Sequence, residues 1–356
     1  MLRWRSGRVL ALRRSWRGAV ELDVAIDRRQ PDDPATMRAL AYPALVGDPM
    51  PGNRVLLNTQ ALSLGLGTGG YALVIALPDR LPPDSLAPGH IVKARYTPQQ
   101  VVVLAADEEA SPHRGTLEHA QELDGLPVVT ADLHSALPAV LAGILADRPN
   151  ARVAYVMTDG GALPAWFSRN LDALAGTLAG VVTVGQAYGG DLEATNTHSG
   201  LLAARYALRA DVAIVTQGPG NVGTGTAWGF SGVSTGEAIN AAAILGGRPI
   251  GSVRVSRADG RDRHLGVSHH SLTAYGRVAL KAADLVLPAG CDPAYEEQLK
   301  PLTDKHRIVL VESEGLDAAL RALPLKLSTM GRGLDEDYDY FLTAAASGRH
   351  AATLIG

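Results

Sequence analysis

The chain has 356 residues, a formal net charge of −3, 46% hydrophobic residues and 19% charged residues. These values exclude a disordered chain and give no overall attraction to nucleic acid or an anionic membrane. The length suits about two domains, and the single cysteine, Cys291, excludes an internal disulfide and a multi-cysteine metal site.

Residues 1–107 read as mostly β. Arg3, Arg5, Arg8, Arg13, Arg14 and Arg17 all precede the first acidic residue, Glu21. They read as the solvated faces and turns of a small β-domain, with a phosphate-backbone or partner contact as the alternative. This basic start lacks the apolar core of a signal peptide. No apolar stretch reaches the roughly 18 residues of a membrane span. Val20, Leu22, Val24 and Ile26 alternate with acidic neighbours, the period-2 pattern of a half-buried strand. Short runs at 55–57, 71–77, 91–96 and 101–105 follow, separated by turn-rich stretches at 47–53, 65–70 and 78–89. Short strands with regular turns predict a small barrel or sandwich. Residues 108–125 form a polar linker or surface helix.

From 126 to 356 the pattern changes. Apolar runs at 127–130, 152–157, 181–184, 211–216, 250–255, 284–287 and 307–311 alternate with helical stretches at 136–146, 166–178, 200–208, 237–245, 272–283, 295–302 and 316–323. A last helix falls within 335–354. The expected fold is α/β, with a mainly parallel Rossmann-like sheet and helices on both faces. The carboxyl ends of such strands share one edge, where ligands bind.

Chemically capable residues crowd that edge. Asp132 and His134 follow the first run; in extended backbone they point the same way and could act jointly. A structural histidine is the alternative for His134. Asp159 precedes Gly160-Gly161 and is a candidate base, metal ligand or helix cap. Asp191 and Glu193 are further candidate carboxylates, sharing a face only if their segment is extended. His264, His269 and His270 cluster in sequence, but adjacent helical residues diverge by roughly 100°, so one of His269 and His270 is expected to face the site. His269 is the candidate. Nothing has the HExxH form. Zinc or another divalent ion held by histidines and carboxylates from several strand ends is the metal expectation; the cofactor is otherwise open. Ser135, Ser199 and Ser268 lack a G-x-S-x-G elbow, and Cys291 reads as structural.

Gly218-Pro219-Gly220-Asn221-Val222-Gly223, continuing through Thr224-Gly225-Thr226, fits G-x-G-x-x-G literally. A dinucleotide site would start its helix at once, whereas Ser234-Thr235-Gly236-Glu237 reads as a later capping box. Thr224 stands where a phosphate-binding Walker loop needs lysine. The expectation is an anion held by Gly218, Gly220, Asn221, Gly223, Thr224 and Thr226. The alternative is a glycine-rich turn at the sheet edge.

Thr158-Asp159-Gly160-Gly161-Ala162-Leu163-Pro164, Gly189-Gly190-Asp191-Leu192-Glu193-Ala194, the 218–226 segment and Gly266-Val267-Ser268-His269-His270 resemble stretches of a bacterial family of uncharacterised domains. The resemblance spans nearly the whole chain. It implies a cytosolic bacterial protein of this two-part layout and carries over no activity, substrate or catalytic residue. The residues themselves point to a hydrolase or transferase acting on a small anionic or phosphorylated substrate. Asp159, Asp191 and Glu193 are its candidate bases or ligands, and His134 and His269 its proton-transfer groups or ligands. The alternative is a non-catalytic nucleotide- or metabolite-binding regulatory protein. A cytoplasmic location is expected, and a homodimer is the base-rate association.

Overall fold

The computed structural model describes residues 2–28, 30–31, 33–85, 88–161 and 163–356. Ala162 in the motif beginning at Thr158, and Leu86 and Ala87 in the 78–89 turn region, lie outside them. The chain divides into two compact units, Met1–Pro88 with Ala94–Val102, and Gly89–Lys93 with Val103–Gly356.

The first unit is a closed five-stranded barrel. Its strands are β1 (Trp4–Trp16), β2 (Ala19–Ile26), β3 (Thr36–Ala41), β4 (Arg54–Asn58) and β5 (Ala72–Ala76). The long β1 pairs with both β2 and β4, which closes the sheet and removes its edges. The alternation read in β2 holds: Leu22, Val24 and Ile26 join Val9, Val55, Leu57 and Val74 in one core. The arginine-rich start is largely β1 itself. Arg3 and Arg5 both pair with Asp33 at 2.7 Å, and Arg13 pairs with Asp23 at 2.7 Å.

The second unit is built on eight strands: β6 (Pro127–Ala131), β7 (Val153–Thr158), β8 (Gly180–Thr183), β9 (Leu192–Glu193), β10 (Val212–Gln217), β11 (Arg248–Ser252), β12 (Asp284–Pro288) and β13 (Arg307–Val311). Their order is β9-β8-β7-β10-β6-β11-β12-β13, and every pairing is parallel. Neighbouring residues of one strand serve opposite faces. Val129, Tyr155 and Ile214 pack into one core; Val128, Val156 and Val215 pack into the other. Both faces are therefore covered, the condition under which parallel sheets occur.

Helices α1 (Leu137–Asp147) and α8 (Tyr338–Thr353) cover one face, and α4 (Ser234–Ile244) packs on the other. Other helices of this unit are short: Arg114–Leu117, α2 (Arg169–Ala173), α3 (Thr197–Leu202), α5 (His269–Thr273), α6 (Pro293–Leu299) and α7 (Leu316–Arg321). The expected 166–178 helix shrinks to a 3₁₀ turn and α2. The expected capping box at Ser234 is absent, because a 3₁₀ turn at Ser231–Val233 already carries the chain into α4. β9 is a strand of only two residues, too short for its periodicity to show. Among the described residues, no helix is long and apolar enough to cross a membrane.

Candidate functional site

The sheet's winding reverses at β6. The chain leaves β6 through β7 and β8 to the β9 edge, returns as β10 beside β6, and continues through β11 to β13 on the other side. Loops that depart in opposite directions leave a crevice at the carboxyl ends of the strands. Asp132 follows β6, Gln217 ends β10, and Arg254 lies just beyond β11. All three are buried.

Asp132 joins these segments. Its Oδ2 lies 3.2 Å from His270 Nδ1 and accepts from Arg254 Nη1 at 3.5 Å. Its carbonyl accepts Gln217 Nε2 at 2.6 Å. Arg254 also meets Asp259 at 3.5 Å, and Asp259 in turn holds Arg261 at 2.8 Å and Arg332 at 3.2 Å. Arg332 continues to Asp337 at 2.8 Å. Asp132, Asp259 and Asp337 thus balance Arg254, Arg261 and Arg332, which is what allows a guanidinium to be buried.

The histidines arrive through a local device. Val255–Ser256 pairs antiparallel with Gly266–Val267 and folds the intervening loop back on itself. That brings His264 to the start of α5. Ser268 caps α5, its Oγ accepting from His270 N at 3.2 Å and lying 2.7 Å from His264 Nδ1. Ring centroids are 4.4 Å apart for His269–His270, 4.9 Å for His264–His269 and 4.8 Å for His264–His270. Phe230 stacks on His270 at 3.7 Å and meets His269 edge-on at 5.8 Å. The expectation that adjacent histidines diverge is therefore corrected. Their Cβ atoms leave the helix apart, but both imidazoles reach toward His264 and Phe230. One ring nitrogen or other coordinating atom of each histidine lies within 4.8 Å of the others'. His269 Nε2 is buried without a hydrogen-bond partner among the described residues.

The electrostatics favour a neutral His264, disfavour charge on His269 and favour a charged Asp132. Burial pushes the His264 pKa down to about 3, helped by the Arg254 and Arg261 charges. Burial also lowers that of His269, with His270 and Arg263 adding to it. Burial works to raise Asp132, but the His270 hydrogen bond and the Arg254 charge overcome it and hold the carboxyl below its ordinary range.

Of the six loop residues expected to hold a ligand, Asn221 reaches the cluster. Its Nδ2 lies 3.4 Å from His270 Nδ1 while its Oδ1 accepts from Ser231 at 2.9 Å. Gly218 is packed so closely that a Cβ there would lie 2.6 Å from Met157 Cε. Gly220 needs glycine for its φ of +95°. Gly223, Thr224 and Thr226 form an exposed turn whose polar groups hold one another: Thr224 N donates to Gly229 O at 2.7 Å, and Gly229 N donates to Thr226 Oγ1 at 3.1 Å. The Arg263 guanidinium lies beside the tip of this turn, where a Cβ on Gly225 would be 3.6 Å from its Cζ.

Asp159 follows β7, the neighbour of β10, and its Oδ2 accepts Gln186 N at 3.1 Å. Gln217 links it to the crevice: Gly160 lies so close that a Cβ would fall 2.1 Å from Gln217 Oε1. That Oε1 and Thr158 Oγ1 are also buried without partners among the described residues.

The other carboxylates and His134 lie elsewhere. Asp191 sits on the exposed outer edge, accepting Val181 N at 2.8 Å. Glu193 is buried in β9, accepting Thr183 Oγ1 at 2.8 Å and Gly189 N at 2.6 Å and pairing with Lys93 at 3.3 Å. β9 is four strands from β6, about 19 Å at sheet spacing. His134 and Asp132 do not act on a common partner. His134 is bonded at both ring nitrogens, to Tyr155 OH at 3.0 Å and Ser168 Oγ at 2.7 Å.

Burial depresses the His134 pKa to about 4. Its unfolded value is near 6.5, so above that pH it adds no slope. As pH falls through 6.5 toward 4, the unfolded chain takes up the proton first, and up to about 3 kcal/mol of stability is lost. His134→Leu is expected to lower stability at pH 7.5 by about 2–4 kcal/mol. Its deficit relative to wild type should narrow by pH 4.5, as read by urea unfolding at both pH values. A constant deficit would show that His134 titrates normally.

Sequence reasoning singled out His269 and Asn221 but passed over Gln217, Phe230, Arg254, His264 and His270 as site residues. Arg254 carried a signal: it is the lone charge inside the apolar run 250–255.

Fold and site together define an α/β protein with a closed β-barrel unit and a cluster of three histidines near the carboxyl ends of a parallel sheet's strands. The chain belongs to the family described as Protein of unknown function (DUF3866), which matches residues 38–348. No curated protein and no solved structure matches it.

Proposed function

We propose that the protein is an enzyme, a hydrolase or transferase, acting on a small anionic substrate in the crevice bounded by the 218–230 loop and the histidine cluster. The observation that carries this reading is a convergence of unused polar capacity. Among the described residues, His269 Nε2 and Gln217 Oε1 are buried without partners and the exposed Arg263 makes no ion pair. Unpaired buried polar atoms cost about 1–3 kcal/mol each, and chains keep such groups at sites that need them. Arg263 supplies the charge for an anion. Asp159, across Gln217, is the candidate base. A bacterial cytoplasmic location and a homodimer belong to the same reading; the lone Cys291 suits a reducing compartment.

A thermal-shift screen with phosphate monoesters, nucleotides and short carboxylates tests it. The expected result is stabilisation by one class, weakened about tenfold or more by Arg263→Ala, with product detected by mass spectrometry. A stabilising ligand recovered unchanged would replace the enzyme with a binding or regulatory protein. Equal binding by Arg263→Ala would remove the anion from the reading.

A further inference from the structure

We infer that His264, His269 and His270 hold a tetrahedral divalent transition metal, zinc in the first instance, with the fourth position open to water or substrate. Three observations carry this independently of any substrate.

The first is proximity. The three donor atoms lie within 4.8 Å of one another. A tetrahedral zinc with Zn–N bonds of about 2.0–2.1 Å sets its nitrogens about 3.3 Å apart, so small side-chain rotations of the imidazoles complete the set. The second is the arrangement behind the rings. A metal-bound imidazole donates its other N–H to a carboxylate, hydroxyl or carbonyl, which fixes the tautomer. His270 Nδ1 has Asp132 Oδ2 at 3.2 Å, and His264 Nδ1 has Ser268 Oγ at 2.7 Å. Asn221 and Arg254 also approach His270 Nδ1, both at 3.4 Å. The carboxylate is the nearest of the three and the one able to accept, so Nδ1–H points to Asp132 and Nε2 keeps its lone pair. The third is His269 Nε2 itself, buried and unpartnered among the described residues. If the cluster served packing alone, that nitrogen would be left desolvated with nothing in return.

Asp132 and Asp259 both pair with Arg254 and offset part of its repulsion of a cation here. Imidazole donors suit zinc, copper, nickel and iron, and geometry and availability select among them. Three protein ligands with an open fourth position is the catalytic rather than the structural form of a zinc site. Such a metal would supply an activated water.

The test uses the full chain after dialysis against a chelator, titrated with Co²⁺ and followed by visible absorption, with Zn²⁺ competition giving the affinity. One equivalent should bind and show the intense bands of tetrahedral cobalt. His269→Gln, at a half-buried position, should weaken binding by more than about a hundredfold, beyond the loss typical of an outer partner. Circular dichroism would establish that this variant is folded. His198→Gln, at an exposed histidine, should bind as wild type. Failure to bind one equivalent, a weak octahedral spectrum, or unchanged affinity in folded His269→Gln would each overturn the site. Should His269→Gln not fold, the wild-type stoichiometry and spectrum alone decide. Metal loading is read with no substrate present, so its failure leaves the substrate reading to its own test.

Discussion

Lys93→Met is expected to destabilise the second unit by about 3–5 kcal/mol in urea unfolding, the usual cost of removing one member of a buried ion pair. Lys93 is fully buried. Its Nζ donates to Ala187 O at 2.9 Å and Ala194 O at 3.0 Å and lies 3.3 Å from Glu193 Oε2. Burial lowers the lysine pKa and raises that of Glu193, so each charge persists because the other is there. Methionine matches the stem but removes the charge and all its donated bonds. The carboxylate then keeps Thr183 and Gly189 but loses its countercharge, and two carbonyls lose their lysine donor in the interior, which costs more than the lost pair contributed. Glu193→Gln alone should also destabilise. The double variant should lose less than the sum, because no unpaired charge remains. A loss under about 1 kcal/mol for Lys93→Met would mean that water relieves the pair. The same contacts hold the 184–194 segment, which carries Gln186 onto Asp159, so weakened ligand binding should accompany the lost stability.

Gly348→Ala is the second large effect, and its sign opposes the helix propensity. Alanine in a helix interior is ordinarily favoured over glycine by about 1 kcal/mol. Here a Cβ on Gly348 would lie 1.9 Å from Val140 O, and a Cβ on Gly143 would lie 1.8 Å from Ala345 O. Each helix of the α1–α8 pair offers a glycine to a backbone carbonyl of the other. A methyl at either position meets rigid backbone, so the helices must separate and their shared core with Leu137, Leu141 and Phe341 must loosen. The expected loss is at the upper end of the 1–3 kcal/mol range for overpacking, or beyond it. Gly115→Ala serves as control. Gly115 also lies in a helix, Arg114–Leu117, but nothing among the described residues is within 4 Å of a Cβ there, so it should be neutral or stabilising. A stabilising Gly348→Ala would show that α1 and α8 are not packed this closely.

Much of the architecture was legible because it follows from local periodicity. The runs at 127–130, 211–216, 284–287 and 307–311 each match a strand to within a residue or so, since a strand buried on both faces is apolar throughout. The site was legible only in part. His269 and Asn221 were marked by residue type and position, whereas Arg254 was passed over although it is a charge in an apolar run. His134 looked like a partner for Asp132 because i and i+2 align in a strand, but a 3₁₀ turn begins at His134 and sends the ring to Tyr155 and Ser168. Asp191 and Glu193 looked like site acids because they follow a strand. They lie on the outer edge, since β9 adds there rather than at the centre.

The sequence by itself determined that strands and helices alternate after residue 126, that both sheet faces are covered, and that polar residues gather at the strands' carboxyl ends. Burial is written into side-chain periodicity, and strand-end chemistry into the residues that follow each run. Only the tertiary structure decided that β10 inserts between β6 and β7, which sets Asp132 beside Gln217, Arg254 and three imidazoles and leaves Glu193 remote. Strand order is a matter of long-range pairing between segments of similar apolar character. No local pattern distinguishes one neighbour from another, so which strand ends meet is settled by packing of the whole unit.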